Sequence, residues 1–203
     1  MNELNNIEKK FFEFSVLGYL SSRENISKEY DEKILKNETI KNFFIRCENI
    51  DESTYNNYKN KHSDNIKRIT SLANKERQEC FKGREIFLKW YLKKDKICCY
   101  CGVEEIDLER YFNNNNKQYY RNEEDKARQR GKYLEIERIV TAPKDKNKYT
   151  IQNTDLACYI CNNAKSDFIS PKNFKPIACG INNFWNNQNI EATFLSESDI
   201  WNK

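Results

Sequence analysis

The sequence predicts an α+β chain: a helical N-terminal region, then a small module stapled by a metal ion. Three observations predict it. Apolar residues recur at helical spacing as far as about residue 96, a short β-branched run follows at Tyr133–Val140, and two C-x-x-C pairs bracket that run. The chain has 203 residues, enough for one or two cores. Its hydrophobic fraction of 38% is low and its charged fraction of 33% is high. Even so, 12 Phe, 12 Tyr and 3 Trp supply the large apolar side chains that a disordered chain lacks.

In the N-terminal region, residues 1–96, Ile7, Phe11 and Phe14 fall at i, i+4, i+7, and Ile40, Phe43, Phe44 and Cys47 at i, i+3, i+4, i+7. Ile66, Ile69 and Ala73 continue the pattern. Cys80, Phe87 and Tyr91 run beside Phe81, Leu88 and Leu92, each set at i, i+7, i+11. Such stripes are buried helix faces. The segment Asn113–Lys132, with four consecutive Asn and little apolar periodicity, reads as an inserted loop or exposed helix. Tyr133–Val140 reads as a strand ended by Pro143 and the charged run Lys144–Lys148. A second strand is expected at Tyr149–Ile151 or Leu156–Ala157, and a short helix at Asn162–Phe168 that stops before Pro171. Residues 97–170 thus form the second region, and 171–203 an extension whose Phe184, Trp185, Phe194 and Trp201 dock on the core.

No run of apolar residues is long enough to span a bilayer, and Met1–Lys10 is polar and charged, so a cytoplasmic protein with no membrane role is expected. In a reducing compartment, paired cysteines hold metal more often than they form disulfides. The net charge of +4 does not diagnose a nucleic-acid partner by itself. Its distribution says more: residues 59–96 carry 12 Lys/Arg against 5 Asp/Glu, and residues 126–148 carry 8 against 3. A solvated helix face or loop explains either run taken alone.

Cys98-Cys99-Tyr100-Cys101 and Cys158-Tyr159-Ile160-Cys161 each place two thiols on one tight turn, the spacing that lets them converge on a tetrahedral ion. Two pairs supply four ligands and a closed, structural site. Zinc is the expected ion; iron, or thiols unconnected with metal, are the alternatives. A redox role explains one C-x-x-C better than two. Cys99 is misplaced for the knuckle, and Cys47, Cys80 and Cys179 read as buried small hydrophobes.

Between and after the pairs stand Leu134-Glu-Ile-Glu-Arg-Ile139, Asn153-Thr-Asp-Leu-Ala-Cys158 and Cys161-Asn-Asn-Ala-Lys165. Their order resembles the HNH endonuclease family, whose members share a C-x-x-C, a strand ending in Asp-His, an Asn in the next loop, and a second C-x-x-C leading into a helix that begins Asn-x-x-Lys. The resemblance spans Ile97–Phe168 and implies a ββα-metal fold with a structural zinc on Cys98, Cys101, Cys158 and Cys161. It implies that Glu137 and Asn162 hold a catalytic divalent ion, Mg²⁺ or Mn²⁺, that Asn153 orients the catalytic group, and that Lys165 faces the phosphate backbone. The sequence departs from the family at Arg138, which stands in place of the general-base His. A guanidinium stays protonated and cannot take a proton from water, but it can grip a phosphate bidentately. Glu135, His62, Tyr149 or a metal-bound hydroxide are the other candidate bases.

The resemblance therefore implies metal-dependent hydrolysis of DNA, with RNA a lesser variant, in restriction or phage defence. A homodimer or a partner subunit would let one module serve two strands. The rival readings are a catalytically inactive zinc protein that binds nucleic acid, and an interaction module that binds a partner protein.

Overall fold

The computed structural model describes residues 6–18, 40–114 and 131–203, which fall into two compact units, Met1–Lys94 and Asp95–Lys203. The described residues form a mixture of helices with one small two-stranded sheet.

The described part of the first unit is helical: α1 (Asn6–Leu17), α2 (Ile40–Arg46), α3 (Glu52–Leu72), α4 (Lys75–Cys80) and α5 (Arg84–Lys93). Asp51 starts α3 by accepting the Thr54 amide at 2.6 Å, and Asn74 starts α4 through the Arg77 amide at 2.9 Å, each satisfying a donor that the helix leaves open. The i, i+4, i+7 stripe of α1 meets that of α2. Phe11, Phe14, Phe43 and Phe44 form the centre, with ring centroids 5.3–5.7 Å apart. Glu8 is buried on the same helix, and its Oε1 lies 2.8 Å from both His62 Nε2 and Lys61 Nζ.

The second unit contains α6 (Glu105–Asn114), β1 (Glu135–Arg138), β2 (Thr154–Ala157), α7 (Tyr159–Lys165), α8 (Pro171–Asn187) and a closing 3₁₀ turn at Asp199–Asn202. β1 and β2 pair antiparallel, Glu135 opposite Ala157 and Arg138 opposite Thr154. The strand expected over Tyr133–Val140 is shorter because its ends bond elsewhere: Leu134 N–H donates to Glu105 at 2.9 Å, and Val140 N–H to the Asn153 side chain at 2.8 Å. Of the two expected sites for the second strand, Leu156–Ala157 is the one used; Tyr149 and Thr150 are irregular and lead into a turn at Ile151.

The helix expected over Asn162–Phe168 begins earlier, at Tyr159, and stops at Lys165, because Ser166 takes φ +52° and breaks the helical path. α6 and α8 went unread in the sequence. The middle of the expected insertion, 115–130, lies outside the described residues.

Ser170 caps α8 and Pro171 occupies its first turn, where a missing N–H costs nothing. Phe174, Trp185 and Trp201 from α8 and the tail are buried with Tyr100, Leu108 and Leu156, so the extension completes this core. Among the described residues no helix is long and apolar enough to cross a membrane.

Candidate active site and metal centre

Cys98 and Cys101 sit on a turn in which Cys98 N–H donates to Val103 O at 2.8 Å and Gly102 N–H to Cys98 O at 2.9 Å. Gly102 has φ +76°, and a Cβ there would lie 1.8 Å from the Thr193 carbonyl oxygen. Only glycine lets the tail pass so close. Asn182 of α8 ties the same turn down, its amide donating to Cys101 O at 2.9 Å and Ala192 O at 2.8 Å. The other two thiols lie at the start of α7, where Cys158 is the N-cap and its Sγ accepts the Cys161 amide at 3.4 Å.

All four thiols are buried, with their sulfur atoms within 4.8 Å of one another. Cys101 Sγ and Cys158 Sγ are 3.7 Å apart. That is far beyond a disulfide bond of ~2.05 Å, and it matches the ~3.8 Å expected between two thiolates held tetrahedrally at ~2.3 Å from one ion. The donor set therefore fits zinc. Burial raises the Cys98 thiol, but hydrogen bonds from Cys101, Cys158 and Cys161 outweigh it and hold Cys98 well below the usual thiol range; the Cys158 and Cys161 thiols are pushed up, first by Cys101 and then with help from Cys98 and burial. Cys99 is buried beside it, whereas Cys47, Cys80 and Cys179, expected to be buried, are half-buried.

The thiol cluster joins the Cys98–Cys101 turn to the start of α7, and α7 lies against β1, where a second group of residues comes together. Glu135 and Glu137 lie two apart on β1, hence on one face; Asn162 and Lys165 lie three apart on α7, hence on one side. The two rows meet in register. Asn162 Nδ2 donates to Glu135 Oε2 at 2.5 Å, and Lys165 Nζ to Glu137 Oε1 at 3.0 Å. Tyr100, inside the first C-x-x-C, donates its hydroxyl to the same Glu137 oxygen at 3.0 Å.

Glu137 is 6% exposed, and burial pushes its carboxyl above the ordinary range against the opposing pull of Lys165, Tyr100 and Arg138. Tyr100 is held far above the usual phenol range, first by burial and then by the negative charge of Cys99 and Glu137, so it remains a donor.

Lys165, expected at the phosphate backbone, is instead fully buried, and its ammonium also reaches the Arg138 and Ser166 carbonyls at 3.2 and 3.5 Å. Its charge is needed inside, because a buried Glu137 without a cation would be far costlier than an exposed one. Asn153, expected to orient a catalytic group, pins backbone: its Oδ1 accepts Val140 N–H at 2.8 Å and its Nδ2 donates to Val140, Lys148 and Lys146 carbonyls at 2.9, 3.0 and 3.1 Å. Arg138 projects from the end of β1. Its guanidinium lies 4.8 Å over the Tyr149 ring and 3.8 Å from Asp167. His62 belongs to the first unit, where its ring is engaged with Glu8 and packs on Phe12. Tyr100 was missed because nothing in its spacing separates it from a knuckle aromatic.

No protein-family model matches the chain, and no curated protein matches it. Among solved structures it is similar to the rare-cutting HNH restriction endonuclease PacI, described for its perturbation of DNA. The identity is 25% over 54% of this chain and 68% of that one, with a TM-score of 0.39.

Proposed function

We propose that this protein is a metal-dependent endonuclease of the HNH type that hydrolyses DNA phosphodiester bonds. One observation carries the reading: a strand–strand–helix unit clamped by four thiols brings Glu135, Glu137 and Asn162 to one face, with Arg138 at the strand end beside it.

Two carboxylates and an amide carbonyl are hard oxygen donors of the kind that Mg²⁺ and Mn²⁺ take, whereas the four sulfurs suit zinc. Glu137 and Asn162 would hold the catalytic ion. When bound, that ion supplies Lewis-acid stabilisation of phosphate charge and acidifies water. The remaining work falls to side chains. Tyr100 and Lys165 hold the Glu137 carboxylate at a fixed angle by donating to one of its oxygens.

Arg138 is backed by the Tyr149 ring, and its 3.8 Å separation from Asp167 is too long for a hydrogen bond, so an incoming phosphate can displace that pairing and be gripped bidentately. A general base contributes about 10²–10⁴-fold, and guanidinium cannot serve. Glu135 is the half-buried carboxylate on this face that accepts the proton as water oxygen bonds to phosphorus and the ester oxygen leaves.

The burial of Glu137 against the Lys165 ammonium favours a second reading, a nucleic-acid-binding protein without chemistry. Cleavage of supercoiled plasmid by the zinc-loaded full chain in Mg²⁺, Mn²⁺ or no added divalent ion separates them. The expected result is divalent-dependent nicking that Arg138→Ala reduces at least tenfold and Glu137→Gln abolishes, both variants retaining zinc. Binding without nicking under every ion establishes the second reading.

A further inference from the structure

Phe168 is 92% exposed, while its neighbours in sequence are anchored on both sides. Ser166 N–H closes α7 onto Asn162 O at 3.0 Å, Ile169 N–H reaches back to Lys165 O at 3.3 Å, and Thr141 Oγ1 donates to Asp167 O at 3.2 Å. Ser170 then starts α8. A phenyl ring on a slack loop folds back onto apolar surface to escape water. This one is fixed at the tip of a five-residue link, 166–170, whose backbone is tied at several points.

Its setting has cations in excess: Arg138, Lys144, Lys146 and Lys148 against Asp145 and Asp167. The preceding Asp167 lies 3.8 Å from Arg138, and the same Thr141 that ties Asp167 opens the segment carrying Lys144, Lys146 and Lys148. Those three lysines are exposed, and the carbonyls of two of them are pinned by Asn153, so the charges sit on a backbone of fixed shape. An exposed apolar ring on a tied backbone link, one residue on from the carboxylate that meets the Arg138 guanidinium and linked through Thr141 to a lysine-bearing turn, is complementary to one kind of surface: anionic phosphates with flat, unsaturated bases between them.

On the nucleic-acid reading above, we infer that Phe168 stacks on a base next to the phosphate gripped by Arg138, so that the protein engages DNA whose bases are locally unstacked. An aromatic wedge between base pairs and a platform for an already unpaired base use the same ring chemistry. They differ in whether duplex or single strand is bound.

The test is fluorescence titration of the zinc-loaded full chain, without added divalent ion, against short DNA carrying 2-aminopurine at successive positions, as a duplex and as the single strand. The expected result is a change in 2-aminopurine emission at one or two adjacent positions. Phe168→Ala removes that change and weakens binding about 5- to 150-fold, the span that ~1–3 kcal/mol per stacked base corresponds to. Its zinc content and the salt slope set by the lysines stay as in the parent. Phe168→Trp restores binding, and its own emission is quenched by the DNA.

A signal with the duplex identifies a wedge, and a signal with the single strand alone a platform. The inference is overturned if Phe168→Ala binds and perturbs DNA as the parent does. It is also overturned if Phe168→Ala leaves DNA binding intact but abolishes a concentration-dependent dimer, which would make a second copy the ring's partner. Absence of any DNA binding by the parent chain overturns the nucleic-acid reading itself, and is distinct from binding without stacking.

Discussion

Glu8 in the helical unit and Glu137 in the thiol-bearing unit are both buried carboxylates, each within 3.0 Å of a lysine ammonium, yet their acidities move in opposite directions. The Lys61 hydrogen bond leads for Glu8 and holds its carboxyl below the ordinary range, with His62 adding to it. Burial leads for Glu137 and holds it above, although Lys165, Tyr100 and Arg138 all pull the other way. The depth of the two sites explains the contrast. Lys61 is 61% exposed and brings its charge from water to the edge of the core, whereas Lys165 is fully buried, so that both members of its pair have been desolvated. The first arrangement ties α1 to α3. The second maintains a charged constellation at a free-energy cost, which is characteristic of functional sites.

The largest effect that would break this contrast is expected at the four-thiol cluster next to the Glu137 site. Cys161→Ser should lose the ion, and with it binding energy on the order of 10 kcal/mol, unfolding the second unit. Zinc stoichiometry with near-ultraviolet circular dichroism checks this.

Next in size, Glu137→Gln leaves the Lys165 charge buried without its anion and should cost about 3–5 kcal/mol. Adding Lys165→Met to Glu137→Gln should return most of it. Thermal melts of the two single variants and the double decide whether the pair acts as a unit. Asn153→Ala removes the pin of the 140–148 segment and should cost about 1–3 kcal/mol, seen as faster amide exchange confined to that segment.

The smallest effect concerns pH. The folded acidity value of Glu8 lies below its unfolded one, so its contribution is present above the ordinary carboxylate range and is lost as pH falls through the folded value. Glu8→Gln should therefore flatten the acid side of the stability profile. Glu137 has the opposite sign: its value is raised on folding, so stability from this group alone increases as pH falls through that raised value. Side-chain carboxyl NMR should find Glu8 below and Glu137 above the ordinary glutamate range; the reverse order would refute the comparison.

Local signals explain what was readable in the sequence. The stripe Phe11, Phe14, Phe43 and Phe44 does form a core, because period-3.6 spacing needs no knowledge of the partner to mark a buried face. The four thiols were identified as a set because ligand spacing is a property of one turn. α6 and α8 went unread although both are amphipathic: α6 runs into the Asn-rich segment read as a loop, and Pro176 and Gly180 lie inside α8, where helix-breaking residues masked the stripe. Lys165 and Asn153 were named as site residues, but the direction of each side chain depends on contacts far along the chain: Arg138 O for one, Val140 and Lys146 for the other.

By itself, the sequence determined that helices precede a short strand pair, that Cys98, Cys101, Cys158 and Cys161 belong together, and that Arg138 occupies the place where a proton acceptor was expected. Only the tertiary structure decided that Lys165 points inward to Glu137, that Tyr100 completes that pair, and that Phe168 stands in water. The reason is physical: helical and strand periods and ligand spacing are written in neighbouring residues, whereas burial of a charge or exposure of a ring is set by which distant surfaces the fold brings against it.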